Sequence, residues 1–147
     1  MAKSTIPEEV ISRVKDLQEN IDHLQANIEA IEQQTSLFFR AISSLNEALK
    51  TQNELKRKKS GDEILIPIGG SNLILCTIKD PQKTYISLGS GITLHTDLTD
   101  SEVRNKSQIE NLEKSMKQLQ EQHSQLSQKL NSHRQELLTI IQKYQIL

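Results

Sequence analysis

The stretch ILIPIGGSNLILCTI at residues 64–78, followed by TYISLGSGITLHT at residues 84–96, decides the fold of this chain of 147 residues. Its apolar runs, Ile64 to Ile68, Leu73 to Ile78, Thr84 to Leu88 and Ile92 to Leu94, have strand length and are rich in β-branched residues. They read as four short strands. Four of the five glycines fall between Gly69 and Gly91, and two of the three prolines are Pro67 and Pro81. Gly69-Gly70-Ser71 and Gly89-Ser90-Gly91 therefore read as hairpin turns, and Asp80-Pro81-Gln82 as the link between two hairpins. The first two strands are apolar on both faces, which a solitary small sheet cannot satisfy, and open strand edges need partners. The residues expected to build this module and join it to similar sheets of other chains are Ile64, Leu65, Ile66, Ile68, Leu73, Ile74, Leu75, Ile86, Leu88, Ile92 and Leu94.

Outward from this middle lie two helical arms. Before it, Val10, Val14, Leu17, Ile21, Leu24, Ile28, Ile31, Thr35, Phe38, Ile42, Leu45 and Leu49 step by four and three, and eleven of these twelve sites are apolar. That spacing is the seam of a coiled coil, narrower than the stripe of a globular helix. Thr5 and Glu8 have capping-box spacing, Pro7 suits a first turn and Ser60-Gly61 supplies a stop, so the first arm is expected from Ile6 to Lys59. After the middle, Ile109, Leu112, Met116, Leu119, His123, Leu126, Leu130, His133, Leu137, Ile140, Tyr144 and Leu147 repeat the pattern, with ten of twelve apolar. Thr99 and Glu102 place its start near Thr99 or Asp100. At 1.5 Å per residue the arms are about 80 and about 70 Å long, and neither buries its seam alone.

The expected fold class is α+β: a long antiparallel α-helical coiled-coil hairpin with two small β-hairpins between its arms. Its expected parts are an N-terminal coiled-coil helix (1–60), a double β-hairpin assembly module (61–98) and a C-terminal coiled-coil helix (99–147).

Composition narrows the function classes. A hydrophobic content of 35% and a mean hydropathy of -0.53 leave little apolar material for a large core. Two Phe, two Tyr and no Trp are poor material for a base-stacking platform or a deep aromatic pocket. A net charge of -1 gives no surplus of cations to neutralise phosphates, which counts against nucleic acid as a partner. Cys76 is the only cysteine, so an intrachain disulfide or a cysteine zinc site is ruled out, and a reducing compartment fits. Met1 to Pro7 holds no apolar run of signal-peptide length, and no stretch is long enough for a membrane span. The expectation is a cytoplasmic protein.

Chemistry-bearing motifs are sparse. The glycine turns precede no Lys-Ser/Thr pair and open no helix, so they are turns rather than phosphate cradles. His23, His95, His123 and His133 lack metal-ligand spacing, and no serine sits in a nucleophile elbow. No catalytic residue, cofactor or metal is expected, and the chain does not read as an enzyme. His123 and His133 fall on the seam, and symmetrical folding of the arms brings His123 towards Thr35 as a polar layer. Lys56-Arg57-Lys58-Lys59 complements a helix C-terminus, with contact to an acidic partner as the alternative. Ile6, Ile11, Leu138, Ile141 and Ile146 are apolar yet off the seam, near the two chain ends. They broaden the packing there, or else form an adhesive surface suited to a large, apolar, poorly structured partner.

Ile66-Pro67-Ile68-Gly69 and Ile86-Ser87-Leu88-Gly89-Ser90-Gly91 resemble the two hairpins of the alpha-type subunit of prefoldin, and the likeness extends over essentially the whole chain. The resemblance implies a hexamer of two alpha with four beta-type subunits, joined by their hairpins into a double barrel that carries six coiled-coil arms. It implies an ATP-independent chaperone, a holdase whose arm ends grip unfolded polypeptide clients and deliver them to a group II chaperonin. The client-binding positions it implies are Ile6, Val10, Ile11, Leu137, Leu138, Ile141 and Ile146. From the residues alone, a structural coiled-coil tether or scaffold with a β-mediated oligomerisation hub stays open beside it.

Overall fold

A computed structural model of the chain describes residues 6–144. The elements run α1 (Glu8–Leu55), β1 (Glu63–Gly69), β2 (Asn72–Thr77), β3 (Lys83–Gly89), β4 (Ile92–Asp97) and α2 (Leu98–Tyr144). The fold is the α+β coiled-coil hairpin, two long helices with two antiparallel β-hairpins between them. By internal contacts the chain forms two compact units, Met1–Phe39 with Lys114–Leu147, and Arg40–Glu113.

In the first unit the helices run antiparallel, with Arg13 meeting Glu136 and Glu32 meeting His123. In the second, Ala41 to Leu45 lie by Gln108 to Leu112 and Gln52 meets Ser101, again antiparallel. All twelve seam residues of α1 are buried or half-buried, as are the seam residues of α2 from Ile109 to Tyr144. Leu17 is the best covered at 0% exposure. The heptad spacing thus places its apolar side chains between the helices. Loss of that contact on truncating a buried leucine costs about 2–5 kcal/mol.

Helix limits differ from expectation by a few residues. Val10 and Ile11 donate backbone bonds to the carbonyl of Pro7, which satisfies the first turn of α1, and Thr5 of the expected capping box lies outside the described residues. At the other end α1 stops at Leu55 rather than Lys59. The Arg57 and Lys58 amides bond three residues back, to Glu54 and Leu55, tightening the last turn. The Asp62 carboxylate then accepts the Lys59 amide at 2.8 Å, and Gly61 turns the chain at φ 91°. The basic run therefore lies past the helix. The start of α2 is Leu98, whose amide donates to the carbonyl of Gln82 at 2.7 Å and whose side chain is 2% exposed.

The two hairpins repeat each other at an offset of about twenty residues. Glu63 pairs with Thr77 and Lys83 with Asp97, and each ladder is irregular at the same place, between Pro67 and Gly69 and between Ser87 and Gly89. The connecting pairs are Gly70-Ser71 (φ 56° and 61°) and Ser90-Gly91 (φ 51° and 76°). Two central residues with positive φ define the turn that matches strand twist, so Gly70 and Gly91 meet a geometric requirement while Ser71 and Ser90 enter the left-handed region at some cost. Each hairpin forms its own two-stranded sheet, and the buried Ile78 and Leu98 follow β2 and β4 as apolar plugs. Asp80 turns the chain between hairpins by accepting the Gln82 amide at 3.0 Å.

Candidate functional site

Cross-strand pairing sorts the hairpin residues into faces. In the first hairpin Ile64 opposes Cys76 and Ile66 opposes Ile74 on one face, while Leu65 opposes Leu75 and Pro67 opposes Leu73 on the other. In the second, Thr84 with Thr96 and Ile86 with Leu94 share a face, and Tyr85 with His95 and Ser87 with Thr93 share its reverse. The first-named face is partly covered in each, because Ile64, Cys76, Thr84, Ile86 and Thr96 are half-buried. The reverse faces are open. Leu65 is 60% exposed, and Leu73 and Leu75 are each 58% exposed. Of the remaining expected assembly residues, Ile66, Ile68, Ile74, Leu88, Ile92 and Leu94 are all exposed. A contiguous apolar surface of this kind is unusual on a chain meant to stand alone. On the second hairpin the open face carries a tilted ring pair, Tyr85 on His95, with centroids 4.9 Å apart.

Near the helix ends Ile11 and Leu138 are more than half exposed, whereas Ile6, Val10, Leu137 and Ile141 are half-buried. Ile146 lies outside the described residues. Val10 and Leu137 hold seam positions, and Ile6 and Ile141 flank the seam, which explains their cover. Val10 and Ile140 line an open cleft of about 330 Å³ together with Glu9, Arg13, Thr139, Lys143 and Tyr144. Arg13 grips Glu136 with two bonds, Nε to Oε1 at 2.8 Å and Nη2 to Oε2 at 3.0 Å. Both side chains are well exposed, so the pair sets alignment and adds at most about 1 kcal/mol. Leu37, Phe39 and Val103 are further exposed apolar side chains that the seam reading did not single out.

His123 and Thr35 come together as folding of the arms predicts, lining one open cleft of about 260 Å³ with Ile31, Glu32 and Gln120, a polar gap in the seam. Within it His123 Nε2 lies 3.1 Å from Glu32 Oε1, while the Thr35 hydroxyl donates to the Ile31 carbonyl.

A second polar layer, missed in sequence, closes the helix pair beside the hairpins. Gln52 is 7% exposed and its Nε2 donates to Ser101 Oγ at 2.8 Å, while Asn105 Nδ2 donates to Gln52 Oε1 at 3.4 Å. Next to it Glu102, also buried, takes Lys106 Nζ at 2.8 Å on one oxygen and Lys56 Nζ on the other. The expected cap from Thr99 to Glu102 gives way to these ion pairs, and Lys56 serves Glu102 rather than the helix terminus. Hydrogen bonding to Lys106 and then to Lys56 holds the Glu102 carboxyl below its ordinary value. Carrying the heptad one step past Leu49 reaches Gln52, and back from Ile109 it reaches Asn105 and Glu102. The signal was there as a run of polar seam sites. Among the described residues no buried side-chain nitrogen or oxygen lacks a partner, no cluster of His, Cys, Asp and Glu is arranged to hold a metal, and no helix is long and apolar enough to cross a membrane.

A fold of two seamed helices joined by uncovered β-hairpins is that of a subunit built to assemble. The prefoldin family profile, described as prefoldin subunit, matches residues 17–143, and the chain belongs to the prefoldin family. Within it the chain is of the alpha type, with two hairpins. It is 30% identical to the prefoldin subunit alpha of Methanococcoides burtonii over 109 residues, 74% of this chain and 79% of that one. It is 28% identical to the putative prefoldin subunit alpha of Aquifex aeolicus over 131 residues, 89% of this chain and 85% of that one. Its match to the prefoldin subunit alpha of Methanosarcina mazei, at 28% identity, covers 58% of this chain and 62% of the relative's length. In fold it is similar to the filamentous PFD of Methanocaldococcus jannaschii solved by cryo-EM, at a TM-score of 0.69 and 20% identity, covering 81% of this chain and 98% of that one. Family membership makes the chain a chaperone component.

Proposed function

We propose that this chain is the alpha-type subunit of an ATP-independent holdase, in which two alpha subunits combine with four beta-type subunits. The observation that carries the assembly reading is the open aliphatic face of the first hairpin, where Leu65, Leu73 and Leu75 are each more than half exposed. Burying a leucine side chain contributes about 1.5–3 kcal/mol, so a few of them suffice to drive association. The eleven hairpin residues from Ile64 to Leu94 named from the sequence serve that interface.

Client capture falls to the helix ends, at Ile6, Val10, Ile11, Leu137, Leu138, Ile141 and Ile146. Ile11 and Leu138 support it, being exposed apolar side chains whose chain neighbours Val10 and Thr139 line an open cleft with Glu9, Arg13 and Lys143. Each contact is weak. Several arms holding one flexible chain raise the effective concentration of the remaining contacts, which lifts avidity on the order of a hundredfold without a tight site. Release then needs no nucleotide, and the client passes to a group II chaperonin in the cytoplasm.

The test removes both ends. A chain without residues 1–14 and 137–147, mixed with beta-type subunits, is expected to assemble yet to lose suppression of aggregation of denatured model proteins. Undiminished suppression by the truncated complex refutes the helix ends as the client site. A tether would instead show one defined helical partner at fixed stoichiometry and no broad suppression.

A further inference from the structure

Polar groups at three neighbouring seam sites need an explanation that packing alone does not supply. Gln52 continues the seam of α1, and Glu102 and Asn105 continue that of α2, at the places where every heptad further along either helix is mostly apolar. All are paired as they stand: Gln52 to Ser101 and Asn105, Glu102 to Lys56 and Lys106. Apolar residues of similar size would bury here without desolvation cost, so a buried polar layer is a poor means of stabilising a helix pair. It is an effective means of choosing one register, because a shifted alignment sets its amide and charged groups against apolar side chains.

The alternatives can be read off the chain. Sliding α2 by one heptad replaces Ser101 by Gln108, Glu102 by Ile109 and Asn105 by Leu112. Gln52 then faces Gln108 and Leu112 in place of Ser101 and Asn105, and Lys56 faces isoleucine where its carboxylate stood. The rest of the seam tolerates such a slip better, since at most of its sites, those taken by His123 and His133 excepted, one apolar residue replaces another. We infer that the Gln52–Ser101–Asn105 layer, with Glu102 clamped between Lys56 and Lys106, is a register lock that fixes how α1 and α2 align beside the hairpins.

The test uses the full chain with Cys76→Ser and spin labels at the exposed positions Asn46→Cys and Ser107→Cys, which flank the layer on opposite helices. With the layer intact a single narrow distance is expected. Adding Gln52→Leu, Ser101→Ala and Asn105→Leu together is expected to introduce a second distance population from a slip of about 10 Å along the helix axis, while the thermal midpoint holds or rises. A single narrow distance in that variant, or a lowered midpoint, overturns the inference. Ser101→Ala keeps both amides and removes one partner. It is expected to lower the midpoint while keeping the single distance, and an unchanged midpoint there counts equally against the lock.

Discussion

The two β-hairpins share a backbone and differ in what they show to their surroundings. Residue by residue, at the twenty-residue offset, Gly69 answers to Gly89, Ile66 to Ile86, Ile74 to Leu94 and the plug Ile78 to Leu98. Their open faces diverge: Leu65, Pro67, Leu73 and Leu75 in the first stand where the second has Tyr85, Ser87, Thr93 and His95. Turn chemistry and ladder length therefore build the same element twice, and a handful of side chains gives each copy its own surface. An aliphatic face open to water costs free energy until something covers it. A face of Tyr, Ser, Thr and His is content with water on it, so only the first hairpin demands apolar cover on both sides.

The largest effect should follow from erasing that difference. Leu65→Ser with Leu75→Ser gives the first hairpin the polarity of the second and removes about 3 kcal/mol or more of apolar burial from an interface. Affinity for partner subunits, followed by sedimentation, is expected to fall about a hundredfold or more. The matched change, Tyr85→Ser with His95→Ser, removes one ring contact worth about 1 kcal/mol and is expected to weaken assembly by less than about tenfold. Equal losses from the two pairs would contradict the distinction between the faces.

A smaller effect concerns the helix junction that carries both hairpins. The Glu102 carboxyl is held low by Lys106 and Lys56, so it binds protons less readily folded than unfolded. Its stabilising contribution is complete above the ordinary glutamate pKa of about 4.3 and is lost as pH falls through the depressed folded value. Glu102→Gln is expected to lower the thermal midpoint at neutral pH by a few degrees and to flatten the decline of that midpoint in acid. An identical acid limb in the two proteins would remove Glu102 from the account.

The smallest effect tests the turns. Ser71 sits at positive φ where the second hairpin has Gly91. Ser71→Gly is expected to stabilise the first hairpin by up to about 1 kcal/mol, visible as slower amide exchange in β1 and β2. Faster exchange would show that the Ser71 side chain contributes more than its backbone strain removes.

Local signals in this chain were readable, and distant pairings were not. Heptad spacing placed every described seam residue between the helices, and Gly-Ser pairs located both turns, because these features depend on neighbours within a few residues. Gln52 and Ser101 lie 49 residues apart, and their bond exists only once the hairpins have returned the chain. The same holds for Lys56 and Glu102, which spacing assigned to a helix terminus and to a cap. His123 was placed on the seam, but its actual partner, Glu32, follows from side-chain reach rather than periodicity.

The central claim is that the uncovered hairpin faces exist to be covered by other subunits. Native mass measurement of the full chain, alone and mixed with a beta-type prefoldin subunit, tests it most directly. The account predicts a complex of two such chains with four beta-type subunits in the mixture. A chain that stays monomeric in both samples, with its aliphatic hairpin surface still open to water, would contradict it.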